Sequence, residues 1–333
     1  MNAPAYRSFA EQALHYFMRP HEGVPERPID SPAAWRGPEM AARPDVWQYA
    51  FTDSEIAEIE TDVAAARERG VPMQEVTASD VPLAELSPRI EEWRRELMAG
   101  RGFILLRGLP VRRWGDDFSA YAYWCLGHHL GQPGAQNPQN ELLGHVTDYG
   151  EEAENPAVRR YRTAGHIAFH CDLADAVGLM CLRPAKSGGQ SLIASSVAIF
   201  NEIMRRRPDL IPRLFEPFRL DRRGEQRADD TPWLEIQPCC FADGRLRTFY
   251  HSDYFRSVTR HEDVPPFTEA ERDILDLYDE LAASPEFHLP MWLEPGDMQF
   301  ISNHTVVHAR TEYEDGETPE EKRHLLRLWL SLD

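Results

Sequence analysis

Apolar residues in TDSEIAEIETDVAAARERG (52–70) recur at helical spacing, so that Ile56, Ile59 and Val63 share one face. Thr52 and Glu55 have the spacing of a capping box and Gly70 supplies a stop, which predicts a helix over this stretch. SPRIEEWRRELMAGRG (87–102) predicts a second helix, capped by Ser87 and opened by Pro88, with Ile90, Trp93 and Leu97 facing inward. From Gly102 onward the period shortens. GFILLRGLP (102–110) is a continuous apolar run closed by Gly and Pro, the pattern of a buried strand. GLMCLRP, GGQSLIASS, LRTFYHSDYF, DMQFISN and RHLLRLWLSL also read as strands, whereas FSAYAYWCLGHHLG, SVAIFNEIMRRRP and FTEAERDILDLYDELAAS read as helices. Short strands separated by turns such as EPGD (294–297) predict a curled antiparallel sheet with helices packed outside. The fold class expected is therefore α+β with a mainly β core.

Residues 1 to about 50 are rich in Pro and Trp without a clear period and read as an irregular arm. There is no repeat, low-complexity stretch or linker. The organisation expected is one domain over 1–333, with arm and helices in 1–100 and the β core in 101–333.

Composition narrows the function. The 333 residues carry 36 basic and 55 acidic side chains, a net charge of −19, which disfavours nucleic acid and anionic membrane surfaces as partners. The first residues lack the charged and apolar regions of a secretory signal, and no apolar run approaches the length of a membrane span. Five cysteines without a C-x-x-C spacing fit a reducing, cytoplasmic setting, and the vicinal Cys239–Cys240 pair reads as packing.

Candidate chemistry centres on HIAFHCDLADAVGLM (166–180). If the segment is extended, His170 and Asp172 project from one face and Cys171 from the other. One imidazole and one carboxylate are two corners of a facial triad, although an H-x-D pair taken alone is more often a turn or surface pair, so a third ligand is needed. SNHTVVHARTEY supplies His304 and His308 as candidates for the third corner. In RHLLRLWLSL the even positions His324, Leu326, Leu328, Leu330 and Leu332 form a core face, while Arg323 and Arg327 share the opposite face. A buried guanidinium needs an anion, either a distant acidic residue or a carboxylate-bearing ligand.

FHCDLADAVGLMCLRPAKSGGQSLIASS and LEPGDMQFISNHTVVHARTEYED…KRHLLRLWL resemble the taurine dioxygenase/2,4-dichlorophenoxyacetate dioxygenase superfamily. The resemblance runs from about Gly102 to Leu332. It implies a double-stranded β-helix (jelly roll), Fe(II) held by His170, Asp172 and His308, and oxidation of a C–H bond with 2-oxoglutarate and O2, releasing succinate and CO2. It places Ser191 and Arg323 at the far carboxylate of 2-oxoglutarate, with Arg327 on cosubstrate or substrate. His308 is preferred over His304 because the family's distal histidine sits in H-x-R. Retention of Asp172 argues against halogenation.

The substrate expected is a small polar anion such as an amino acid, carboxylate or sulfonate. Candidate contacts are Gln136, Asn137, Asn140, Tyr161, Thr163, His166, Tyr250 and His251, with Tyr254 beside them. A metal hydrolase or isomerase, or a non-catalytic binding relative, is the competing reading, and a homo-oligomer is compatible with the sequence.

Overall fold

A computed structural model describes residues 6–151, 160–226 and 229–332. Two sheets form its centre. The larger runs Gln48–Ala50, Phe103–Arg107, Met298–Ser302, Ala176–Arg183, His324–Ser331 and Gln132–Gly134, with Gly144–Val146 also paired to His324–Ser331. It is antiparallel except where Gln48–Ala50 meets Phe103–Arg107. The smaller is antiparallel throughout and runs His288–Met291, Ser191–Ser195, Val306–Arg310, Ile167–His170.

Phe103, Leu105, Val177, Ile301 and Trp329 of the larger sheet pack against Ile193, Leu289, Met291 and Val306 of the smaller. Alternate residues of the larger sheet, among them Ile104, Leu106, Met180, Phe300, Leu326, Leu328 and Leu330, turn outward under helices Asp53–Glu68, Ser87–Ala99 and Val111–Leu130. Helices Ser196–Arg206 and Glu269–Ala283 cover the smaller sheet. This is the double-stranded β-helix with helices outside. The alternation expected of the last strand is present: Leu326, Leu328 and Leu330 face the helices, and Trp329 faces the second sheet.

Three local expectations change. Ser87 is the first residue of its helix rather than its cap. The amides of Glu85 and Leu86 donate instead to the carboxylate of Glu58 on the neighbouring helix (2.6 and 3.0 Å). The run 246–255 is not one strand: Arg245–Thr248 is extended and Ser252–Ser257 is helical. The buried Phe249, Tyr250 and Phe255 keep neither strict alternation nor one helical face, so the pattern could not decide. The arm contains a helix, Phe9–Phe17, with a Ser8/Glu11 capping box. All five cysteines are free and buried, as packing residues should be.

Candidate metal centre

His170 ends the strand Ile167–His170, and His308 lies directly opposite it on Val306–Arg310. Cross-strand pairing thus sets the two imidazoles side by side, with ring centroids 4.0 Å apart and planes tilted by 45°. Asp172 lies just past the strand end. Its amide donates to the buried Asn303 side chain (3.0 Å), which in turn donates to the Ala174 carbonyl (2.9 Å), so one amide side chain pins the turn that presents the carboxylate. Asn303 is a site-building residue that the sequence reading passed over, although it stands between two strand patterns in SNHTVVH.

One donor atom from each of His170, Asp172 and His308 lies within 4.8 Å of the others, and His308 Nε2 is 3.7 Å from Asp172 Oδ2. His170 Nδ1 is 2.9 Å from the Ala168 carbonyl, a contact that holds the proton on Nδ1 and leaves Nε2 as an acceptor. Asp172 Oδ2 is buried without a hydrogen-bond partner. Burial pushes His308 down to about 3, which keeps it neutral, the form that binds metals. Burial would raise the Asp172 carboxyl, but the Arg327 guanidinium and the two imidazoles outweigh it and hold it below the usual range. A carboxylate with an unused oxygen beside two imidazoles is a donor set suited to a divalent first-row metal. His304 is occupied elsewhere: it meets Asp175 at 2.7 Å and stacks on Tyr16. The Cys171 thiol points away, toward the Val306 carbonyl (3.7 Å).

The two arginines of the last strand occupy different places. Arg327 Nη1 is 3.7 Å from Asp172 Oδ1, Nε donates to Gln136 (2.6 Å), and the Tyr161 ring lies 4.4 Å from the guanidinium carbon. Arg323 packs against Gly189, two residues before Ser191. Ser191 is opposite Arg310 in register and donates to Gln299 (3.0 Å). Tyr313 sits between Arg310 and Arg323, 4.7 and 5.1 Å from their guanidinium carbons. Both arginines are buried, and among the described residues no carboxylate pairs with either guanidinium. Arg323 Nη1, Arg310 Nε and Nη1, and Tyr313 OH lack hydrogen-bond partners. Burial lowers both guanidinium pKa values and, with repulsion from Arg323 added, brings Arg310 to about 10. Two desolvated cations with unused donors form a cradle for an anion, and its cost without one is high. Arg310 and Tyr313 were not foreseen in this role.

A cavity of about 980 Å³ opens on the metal cluster and is lined by His170, Asp172, Arg327 and Trp329. Of the expected substrate contacts, Asn140, Tyr161 and His251 line it, together with Tyr254, on which His251 stacks at 3.7 Å. The other five do not. Gln136 is buried, holding Arg327 by its side chain and its carbonyl (2.7 Å). Asn137 closes a turn with Glu141. Thr163 is buried and bonds the Arg160 carbonyl. His166 is exposed. Tyr250 is in the core, stacked on Tyr278 and donating to Asp279.

Residues 69–329 match the family model "Taurine catabolism dioxygenase TauD, TfdA family". FR-33289 synthase of Streptomyces rubellomurinus is 29% identical over 92% of this chain and 91% of its own. The taurine hydroxylase-like protein SAT17 of Stachybotrys chartarum is 26% identical over 90% of this chain and 79% of its own. Among solved structures, asparagine oxygenase with Fe(II), 3-hydroxyasparagine and succinate matches with a TM-score of 0.68 at 18% identity, covering 86% of this chain and 94% of that one. The chain belongs to the TauD/TfdA family and is an Fe(II)- and 2-oxoglutarate-dependent dioxygenase.

Proposed function

We propose that His170, Asp172 and His308 hold the iron, that Ser191 and Arg323 take the far carboxylate of 2-oxoglutarate with Arg310 and Tyr313 beside them, and that a small polar molecule is hydroxylated in the adjoining cavity. The observation that carries this reading is the pairing of a two-histidine, one-carboxylate cluster with a buried, unneutralised guanidinium pair in the same sheet sandwich. Fe(II) there supplies open coordination positions for 2-oxoglutarate and O2, and with them the oxidising power to attack a C–H bond.

The chain's own residues bind and orient. Asp172, held anionic by Arg327, offsets the metal's charge. Gln136 fixes Arg327 from behind. The apolar sandwich of Phe103, Val177, Ile193 and Trp329 keeps the interior dry. No general base is assigned. For the substrate, an amino acid, carboxylate or sulfonate is the class supported by a relative named taurine hydroxylase-like and by an asparagine oxygenase of the same fold.

The test is succinate production by iron-loaded protein against panels of amino acids, sulfonates and carboxylates. Turnover is expected only when Fe(II), 2-oxoglutarate and O2 are all present, and is lost in Asp172→Ala. Zinc-supported hydrolysis without O2 would overturn the reading.

A further inference from the structure

The helix Phe9–Phe17 lies outside the matched family region, yet it forms part of the cavity wall. Its two sides differ. Gln12, His15 and Tyr16 anchor it to the body. Gln12 accepts from the Ser331 hydroxyl (3.1 Å), His15 meets Asp175 (2.8 Å), and Tyr16 donates to the Thr248 and Asn303 carbonyls. At its start, the Phe9 amide donates to the Asn140 side chain (3.1 Å). The other side is Phe9, Ala10, Ala13, Leu14 and Phe17, an unbroken apolar stripe at helical spacing, and all five line the cavity.

Phe9 and Phe17 also touch the core, against Trp329 and Phe249, but Leu14 remains 62% exposed. A helix tied down by four side chains that turns an apolar stripe into a cavity, rather than into the core, has its apolar surface available to whatever fills that cavity. The volume, about 980 Å³, is at the upper end of the range for drug-sized ligands. The same cavity reaches His170 and Asp172, so its occupant is the molecule presented to the metal.

Building on the function proposed above, we infer that the substrate is an amphipathic molecule larger than a free amino acid. Its apolar body packs on the Phe9–Phe17 stripe while its polar end lies toward Arg327. Ala13 and Leu14 are then specificity-determining residues.

Straight-chain carboxylates from propanoate to decanoate test this on the full-length, Fe(II)-loaded protein. Their binding is titrated anaerobically by calorimetry with 2-oxoglutarate saturating, after the affinity for 2-oxoglutarate itself has been measured. Each added methylene is expected to tighten binding about fourfold while the stripe is being covered. Leu14→Glu and Ala13→Trp are expected to weaken decanoate by about tenfold or more and to leave the 2-oxoglutarate affinity within about twofold. Leu14 is exposed enough to be replaced without disturbing the core, and circular dichroism checks the Trp variant. A flat series in a wild-type protein that binds 2-oxoglutarate overturns the inference and spares the dioxygenase reading. A rising series with equal slopes in both variants also overturns it, because the apolar body then rests elsewhere. If the wild-type protein binds no 2-oxoglutarate, the site assignment fails and the inference fails with it.

Discussion

Arg323 illustrates how a residue that is costly for stability can be kept for the anion proposed to sit beside it. Its guanidinium is buried and Nη1 has no partner, so in the absence of an anion it lowers stability. Methionine has similar length and no charge to desolvate. Arg323→Met is expected to leave thermal stability unchanged or higher when 2-oxoglutarate is absent, because replacing a buried charge by a packed apolar chain is often neutral or stabilising. The same variant should weaken 2-oxoglutarate at least about a hundredfold, since removing a charge-assisted contact costs about 3 kcal/mol when a carboxylate is left unmatched. A variant that loses stability to the same degree with and without 2-oxoglutarate would show Arg323 to be structural. Gln136 makes a complementary case. It does not line the cavity at the metal cluster, so Gln136→Leu should act on the substrate through the orientation of Arg327, raising the substrate KM more than that of 2-oxoglutarate. Sequence alternation placed Arg323 and Arg327 on one face but could not separate their roles. The separation comes from Gly189 and Tyr313 beside Arg323 and from Asp172 beside Arg327, contacts made between segments far apart in the chain.

At the level of elements, turns and caps carry testable weight. Gly296, in EPGD, has φ +88°, and a Cβ there would fall 1.8 Å from the Leu109 carbonyl oxygen. Gly296→Ala combines left-handed strain with a backbone clash and is expected to destabilise by about 3 kcal/mol in urea unfolding. Glu58→Ala removes the acceptor for two helix-start amides and should cost about 1 kcal/mol by the same measurement. An unchanged midpoint would mean that water caps that helix equally well. These two sites also show where sequence was informative. EPGD announced its turn, and Thr52–Glu55 announced a capping box that forms with Glu55 accepting the Thr52 amide at 2.8 Å. Glu58 was invisible as a cap because it belongs to a different helix. The helix Phe9–Phe17 was missed because it is short and followed from Pro20 onward by a proline-rich run that dominates the reading of residues 1–50.

For the molecule as a whole, acid sensitivity follows from carboxylates that folding makes more acidic. Burial alone would raise the Asp221 carboxyl, but bonds from Arg260, His261, the Arg223 amide and Ser257 bring it down to about 2. Glu202 is likewise held at about 2, chiefly by Arg205 and then Arg206. In the unfolded chain these groups titrate at their ordinary values, 3.8 and 4.5. Their contribution is thus complete above those values and is lost as pH falls toward about 2, because the unfolded state binds protons that the folded state refuses. Asp221 joins the strand Phe218–Asp221, on the cavity wall, to the segment carrying Arg260 and His261. Asp221→Asn is expected to lower stability by about 2 kcal/mol at neutral pH, less than for a fully buried pair because Arg260 remains partly in water. The deficit should shrink as pH falls from 5 to about 2.5. Melting curves of wild type and variant across that range provide the check. A deficit that stays constant with pH would show that shape, rather than charge, is what Asp221 contributes to the cavity wall.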